Sequence, residues 1–249
     1  MQNNQNNYKI ITQYDGTNYK GWQYQTEKIK TIQGELVKAL IIISKRKVLI
    51  TGSSRTDAGV HSLGHTSNFH IPINIEPQSL QKAFNSILPI DIRIASCEAV
   101  EMSFNARFNA VGKTYIYKIF FGDVHSPFDN RYATHITYPL KLSKMRKATK
   151  HFIGTKDFSS FTSDDPHKNR RRTITEFSMK VRNKEIQFTI KGKSFLRYMV
   201  RNMIGTIIDV GRGKLSHEEI PAIFEAKDRR KAGITAKAKG LTLFKVEFE

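Results

Sequence analysis

Lys47-Val48-Leu49-Ile50-Thr51-Gly52-Ser53-Ser54-Arg55-Thr56-Asp57-Ala58-Gly59 reads as a strand, Lys47 to Ser53, that runs into a loop of small and charged residues. Upstream, Thr31 precedes a helical run from Ile32 to about Ser44, with Glu35 in its first turn and Leu36, Val37, Leu40, Ile41 and Ile43 at apolar positions. Before that, Tyr8 to Tyr14 is a strand candidate ending at the turn pair Asp15-Gly16. Downstream, a third strand spans about His65 to Ile71. Pro77 opens a helix through about Ile87, closed by Leu88-Pro89, and Ile92 to Val100 reads as a fourth strand. This strand–helix–strand–strand–helix–strand order is that of a ferredoxin-like α+β unit, an antiparallel sheet with helices on one face.

The second half has the same general logic with longer excursions. Lys113 to Phe121 is a strand, about Ser143 to Phe152 a helix, and Arg172–Val181 and Glu185–Lys191 two strands joined at Arg182-Asn183-Lys184. A long helix is expected from about Phe195 to Val210, stopped by Gly211 and Gly213, then a helix from Ser216 to about Glu225 and a last strand from Leu241 to Phe248. The expected fold is therefore α+β, with two ferredoxin-like (RRM-like) halves, residues 1–110 and 111–249, forming a mixed, mainly antiparallel sheet around a central basic cleft. No Gly/Ser linker separates the halves.

Charge narrows the choice of partner. The chain carries 41 Lys+Arg against 22 Asp+Glu, a formal net charge of +19. Residues 1–110 contribute 12 basic and 8 acidic residues, and residues 111–249 contribute 29 and 14, so the surplus lies mostly in the second half. Such a field repels most cationic ligands and suits a polyanion; nucleic acid is the expected partner. No apolar run is long enough for a membrane span, because Leu40-Ile41-Ile42-Ile43 is cut off by Ser44-Lys45-Arg46-Lys47. The polar start MQNNQNNYK lacks the apolar core of a secretory signal, and the single Cys97 can form no internal disulfide. A cytoplasmic location is expected.

Candidate chemistry concentrates in Gly52-Ser53-Ser54-Arg55-Thr56-Asp57-Ala58-Gly59-Val60-His61. A carboxylate on a loop after a strand sits at a sheet rim, where a scaffold presents reactive groups, and Arg55 nearby favours the ionised form. An isolated Arg-Thr-Asp is most often only a capped turn. His61 and His65 are four apart but flank Gly64 in what reads as a loop, with one thiol in the whole chain, so no metal site is expected. Gly211-Arg212-Gly213-Lys214-Leu215-Ser216 is a helix stop and not a phosphate loop, since Ile208 and Leu215 occupy the positions that would need Gly and a hydroxyl. Arg197 and Arg201, four apart, are expected on one helix face, with Phe195, Met199, Met203 and Ile207 facing the core. Lys168-Asn169-Arg170-Arg171-Arg172 is read as an RNA clamp.

The decamer at 52–61 resembles the signature of the TruA-type tRNA pseudouridine synthases, approximately G-x-G-R-T-D-A-G-V-H. Tyr14-Asp15-Gly16-Thr17-Asn18-Tyr19-Lys20-Gly21-Trp22-Gln23 is similar to that family's Y-D-G-x-x-Y-x-G-W-Q. Phe104-Asn105-Ala106-Arg107-Phe108 with Lys113-Thr114-Tyr115-Ile116-Tyr117 resembles its H-A-R-F … K-x-Y-x-Y, and Phe195 to Asn202 and Gly240-Leu241-Thr242-Leu243 resemble its C-terminal blocks. These blocks fall in the family's order along almost the whole chain.

The resemblance implies Asp57 as catalytic carboxylate and Arg55 as the residue that helps extrude the target base. It likewise implies Tyr115 as the ring against the uracil and Arg201 as a contact of the carboxylate. Arg107, Arg197, Lys168, Arg170, Arg171 and Arg172 are the candidate RNA contacts. It further implies a homodimer, uridines 38, 39 and 40 of the tRNA anticodon stem-loop as targets, and no cofactor, because the isomerisation exchanges no electrons or groups. The chain departs from the family at Ser54, where a second Gly is usual, and at Asn105, where His is usual. Ser54 is expected to leave its loop less free to adopt positive φ. A non-catalytic RNA-binding protein on the same scaffold is the rival reading, and it would need neither Asp57 nor Tyr115.

Overall fold

The computed structural model describes residues 6–163 and 169–249. The chain forms two compact units, one comprising the chain up to Val111 together with Leu243–Glu249 and the other Gly112–Thr242.

In chain order, the first unit holds β1 (Asn6–Tyr14), α1 (Ile32–Ser44), β2 (Ile50–Gly52), β3 (His61–Ile71), α2 (Pro77–Ile87) and β4 (Ile92–Val100). β1 is central, pairing antiparallel with β4 and β3, and the short β2 pairs antiparallel with β3. Both helices start where local chemistry predicts. The Thr31 hydroxyl accepts the Gly34 N–H (3.2 Å) at the head of α1. Pro77 stands in the first turn of α2 behind the Glu76 carboxylate, which accepts the Ser79 N–H (2.8 Å). Tyr8, Ile10, Leu36, Leu40, Phe69 and Phe84 build the core of this unit, and Trp22 and Tyr14 extend it toward the loop after β2.

The second unit contains β5 (Ala110–Phe121), β6 (Thr134–Ile136), α3 (Leu142–Lys150), β7 (Gly154–Asp157), β8 (Arg171–Arg182), β9 (Glu185–Gly192), α4 (Met199–Arg212) and α5 (Ile220–Ala226). β5, β9, β8 and β7 are antiparallel neighbours in that order, and β6 pairs parallel with β5. α4 is buried along most of its length. Phe152, Phe158, Phe161 and Phe224 pack edge-on or tilted against one another, with centroids 4.9–6.1 Å apart.

The last strand, β10 (Leu241–Phe248), differs from the expected division. From Leu243 onward it packs with the first unit, not with the second half that precedes it in sequence. It lies beside β3, where the Ser62 hydroxyl donates to the Leu243 carbonyl (3.1 Å), and the Phe248 ring meets Phe104 at 5.3 Å. A Cβ at Gly64 would lie 2.5 Å from the Phe244 carbonyl oxygen, so the two strands can approach this closely only with glycine there.

Two other expectations change. α4 begins at Met199, not Phe195, because Tyr198 adopts a left-handed backbone (φ 61°, ψ −1°) that a right-handed helix cannot include. His61 and His65 lie within β3, which starts four residues earlier than expected. Among the described residues no helix is long and apolar enough to cross a membrane.

Candidate active site

Asp57 and Arg55 lie on the loop between β2 and β3, with Arg55 exposed and Asp57 partly buried. The loop is fastened by its backbone. Trp22 N–H donates to the Thr56 carbonyl (3.1 Å), Gly59 N–H to the Tyr19 carbonyl (3.3 Å), and Val60 N–H to the carbonyl of Asp57 itself (3.1 Å). Ser53 N–H reaches the Thr66 carbonyl on β3 (2.9 Å). The hydroxyls of Tyr14 and Thr56 share a buried hydrogen bond of 2.8 Å.

Close approach of the segment 14–23 to this loop explains its glycines. A Cβ on Gly16 would lie 2.0 Å from the Val60 carbonyl oxygen, and one on Gly21 (φ +92°) would lie 2.7 Å from that of Thr56. Gly52 is equally confined, since a Cβ there would meet the Trp22 indole nitrogen at 2.7 Å. Sequence similarity marks these residues without giving their task; in the fold they are the seat of the Asp57 loop.

Two histidines complete the seat: His61, which ends the 52–61 decamer, and His65, which lies outside every motif. The His65 ring stacks on Trp22 with centroids 3.5 Å apart, and its Nε2 is 2.8 Å from the Ser54 carbonyl, where the nitrogen must act as donor. The Gly16 N–H donates to His61 Nδ1 (3.1 Å), and the same nitrogen lies 3.1 Å from an Asp15 carboxylate oxygen. No cluster of three or more metal-ligating side chains occurs among the described residues. Ser54 does not adopt a positive φ, so a serine at this position costs no backbone strain.

In the second unit, Tyr115 lies on β5 opposite Ile190 of β9, with its ring buried and set edge-on against Phe195 at 5.0 Å. Arg201 is in the first turn of α4. Its Nε donates to the Ala236 carbonyl (2.8 Å), and the Ala236 N–H donates back to the Arg201 carbonyl (3.1 Å). The 229–236 segment is itself locked to α4, with Arg229 donating to Asn202 Oδ1 (2.9 Å) and a Cβ on Gly205 falling 1.6 Å from the Ile234 carbonyl oxygen.

Arg197 is not on the helix face of Arg201, because the left-handed Tyr198 intervenes. The two guanidiniums instead approach one ring, at 4.8 Å and 5.3 Å from the Tyr198 centroid, and Arg197 donates to the Tyr198 hydroxyl (3.1 Å). Arg107 occupies a separate turn of the first unit. There Asn105 Oδ1 accepts the Arg107 and Phe108 N–H groups (2.9 and 3.2 Å), while Asn68 accepts the Ala106 N–H (2.9 Å). Asn105 therefore does the work of a turn residue. Arg170, Arg171 and Arg172 stand at the start of β8; Lys168 lies outside the described residues.

A rigidly seated loop carboxylate, on a mainly antiparallel α+β unit of a strongly basic chain, defines a class: an enzyme acting on a polyanion through acid–base or nucleophilic chemistry. A family model described as tRNA pseudouridine synthase matches residues 10–109 and 148–249. The chain is 42% identical over 239 residues to tRNA pseudouridine synthase A 2 of Clostridium tetani, covering 95% of this chain and 96% of that protein. It is 42% identical over 251 residues to tRNA pseudouridine synthase A of Thermodesulfovibrio yellowstonii, covering 96% and 98%. The chain belongs to the tRNA pseudouridine synthase family.

Proposed function

We propose that the chain isomerises uridine to pseudouridine in the anticodon stem-loop of tRNA, at positions 38, 39 and 40, with Asp57 as the carboxylate that starts the reaction. The observation that carries this reading is the seating of the Asp57 loop by the 14–23 segment, which commits two glycine approaches and two backbone hydrogen bonds to placing one short loop. Catalytic groups require such placement, whereas a capped surface turn does not.

The family resemblance assigns the remaining roles, and the chemistry suits them. The N1–C1′ bond breaks, the uracil turns, and a C5–C1′ bond forms; the C5 proton leaves and N1 regains one, so atoms balance without a cofactor. The target must first leave its stack, which costs a few kcal/mol, and the exposed Arg55 guanidinium is suited to fill the vacated space. Tyr115 offers a flat face for the detached uracil and a hydroxyl for proton removal at C5. The same resemblance assigns Arg201 as the counter-charge of the Asp57 carboxylate. Arg107, Arg197, Arg170, Arg171 and Arg172 hold the backbone of the RNA. Family resemblance extends the reading to a homodimer in the cytoplasm.

Release of tritium from tRNA labelled at uracil C5 tests the reaction. Wild-type protein should release it, and Asp57→Asn should lower the rate at least about 10³-fold while still binding tRNA. Release that persists in Asp57→Asn removes the assignment of that carboxylate. Absence of release by the wild type leaves an RNA-binding protein only.

A further inference from the structure

The second unit contains a pocket that shares no residue with Tyr115, Phe195, Tyr198 or Arg201. The end of α3, β7, the start of β8 and the end of α5 enclose about 520 Å³. Lys150, Lys156, Arg171 and Lys227 line it, against the carboxylates of Asp157 and Glu225. Four cations face two anions, so the lining carries a net positive charge of 2.

The cations come from four separate elements; Lys150, Arg171 and Lys227 are exposed at the pocket rim and Lys156 is half-buried. Lys156 is held with its ammonium 5.6 Å from the Phe224 ring, and Phe224 is fixed in the aromatic core by Phe152, Phe158 and Phe161. Arg171 is anchored by the β7–β8 ladder, where it stands opposite Asp157. Asp157 is already engaged. Ser159 gives it an N–H and a hydroxyl bond (2.9 and 2.5 Å), and Lys227 lies 3.8 Å away. Burial alone would raise the pKa of Asp157, but the Ser159 bonds and Lys227 hold it below the ordinary carboxylate value. It is a committed anion that offsets part of Lys227 and leaves Lys150, Lys156 and Arg171 the larger share of the free field. Burial first, and then His217 beside it, lowers the pKa of the neighbouring His151, which therefore adds no positive charge near pH 7.

Like charges lining one cavity repel one another, and an anion seated between them removes that repulsion. Ammonium groups and one guanidinium converging on a compact space suit the tetrahedral oxyanion of a phosphate better than an extended acidic peptide.

We propose that this pocket is a phosphodiester subsite, which takes a backbone phosphate of the RNA substrate separately from the groups that handle the target uridine. The inference rests on tRNA being the substrate. It predicts that the second unit grips the RNA at two places, the turn at Arg197 and Tyr198 and this pocket.

The test pairs Lys150→Gln with Lys227→Asn, asparagine being tolerated at the left-handed backbone of residue 227 (φ 48°). A control removes the same two charges on α3 outside the pocket, Lys144→Gln with Lys147→Gln. Binding of full-length tRNA is measured across a salt series, together with tritium release at saturating tRNA. The pocket variant should bind about tenfold more weakly at moderate salt, and its slope of log affinity against log salt should fall by about 2. Its turnover at saturation should match wild type, and the control should change far less.

Equal losses in the pocket variant and the control would reduce the effect to the general field and overturn the subsite. Unchanged affinity and slope in the pocket variant would overturn it as well. A separate arm titrates tripolyphosphate alone, at matched ionic strength. If the pocket variant loses tripolyphosphate binding yet keeps wild-type tRNA affinity, the pocket serves a small phosphate anion and the RNA assignment fails. In any of these cases wild-type tritium release still tests the function reading by itself, so the two can fail separately.

Discussion

The two units hold their candidate residues by different means. In the first, the Asp57 loop is fixed through main-chain atoms and glycine contacts, and the side chains beneath it (Tyr14, Trp22, His65) are buried. In the second, Arg197 is exposed on a turn, while half-buried Arg201 stands in the first turn of a helix with its Nε bonded to the Ala236 carbonyl, and both lean on one tyrosine ring. The difference matches what the proposed role of each group demands. A carboxylate that breaks and remakes a bond must be placed within a fraction of an ångström, and a displacement of about 1 Å can cost about 10²-fold in rate. A cation that holds a phosphate acts over a Debye length of about 8 Å and tolerates side-chain latitude. Rigid seating should therefore govern turnover, and the cationic turn should govern affinity.

The strongest way to break this contrast is Gly16→Ala. The new methyl would fall 2.0 Å from the Val60 carbonyl oxygen, which is backbone and cannot swing aside. The loop must move or the unit must loosen, at a cost of about 3 kcal/mol. Turnover should fall by at least about 10²-fold, while tRNA affinity stays within about threefold of wild type. Single-turnover kinetics with filter binding measure both. Equal losses in the two quantities would show that the seat is also an RNA-binding surface.

A smaller and more specific effect is expected at His65. His65→Ala removes the ring stacked on Trp22 and the donor to the Ser54 carbonyl, which is then left with one fewer partner. A hydrogen bond of this kind is worth about 1 kcal/mol, and the lost stacking adds a similar amount, so stability should fall by about 2 kcal/mol and turnover by at most about 30-fold, with KM unchanged. His65→Gln retains an N–H donor and should recover part of the loss. If Gln and Ala behave alike, the contribution of His65 is its stacking alone.

How much of this was legible in the sequence depends on whether the signal is local. α1 and α2 begin at Thr31 and Pro77 as expected, because capping hydroxyls and first-turn prolines act within a few residues of themselves. The start of α4 was misplaced, since Phe195-Leu196-Arg197 has no helix breaker and only the left-handed Tyr198 stops the helix there. Asp57 and Arg55 stand out as a loop after a strand, yet the purpose of residues 14–23 is visible only when Gly16 and Gly21 touch the Val60 and Thr56 carbonyls. In sequence His65 offers only a four-residue spacing from His61; its contact with Ser54 joins a strand to a loop and leaves no spacing to read. The basic pocket draws on four elements between residues 150 and 227, so a charge count by halves gives its sign but not its place. The seventh-from-last residue, Leu243, joins the first unit for a similarly non-local reason, the close approach allowed by Gly64.

The smallest expected effect is at Arg197, and it is the sharpest test of the contrast because it should leave catalysis alone. Its guanidinium lies 4.8 Å from the Tyr198 ring and donates to that tyrosine's hydroxyl, contacts that orient it outward without tying it to the helix. Arg197→Ala deletes one phosphate-seeking charge, so the salt slope of tRNA binding should fall by about 1 and affinity by a few-fold, with turnover at saturation unchanged. Arg197→Lys keeps the charge but loses the planar group that stacks on Tyr198, and should recover the slope more fully than the affinity. Should Arg197→Ala instead lower turnover as Gly16→Ala is expected to, the cationic turn would belong to the catalytic seat, and the division between placing a carboxylate and holding a backbone would not describe this enzyme.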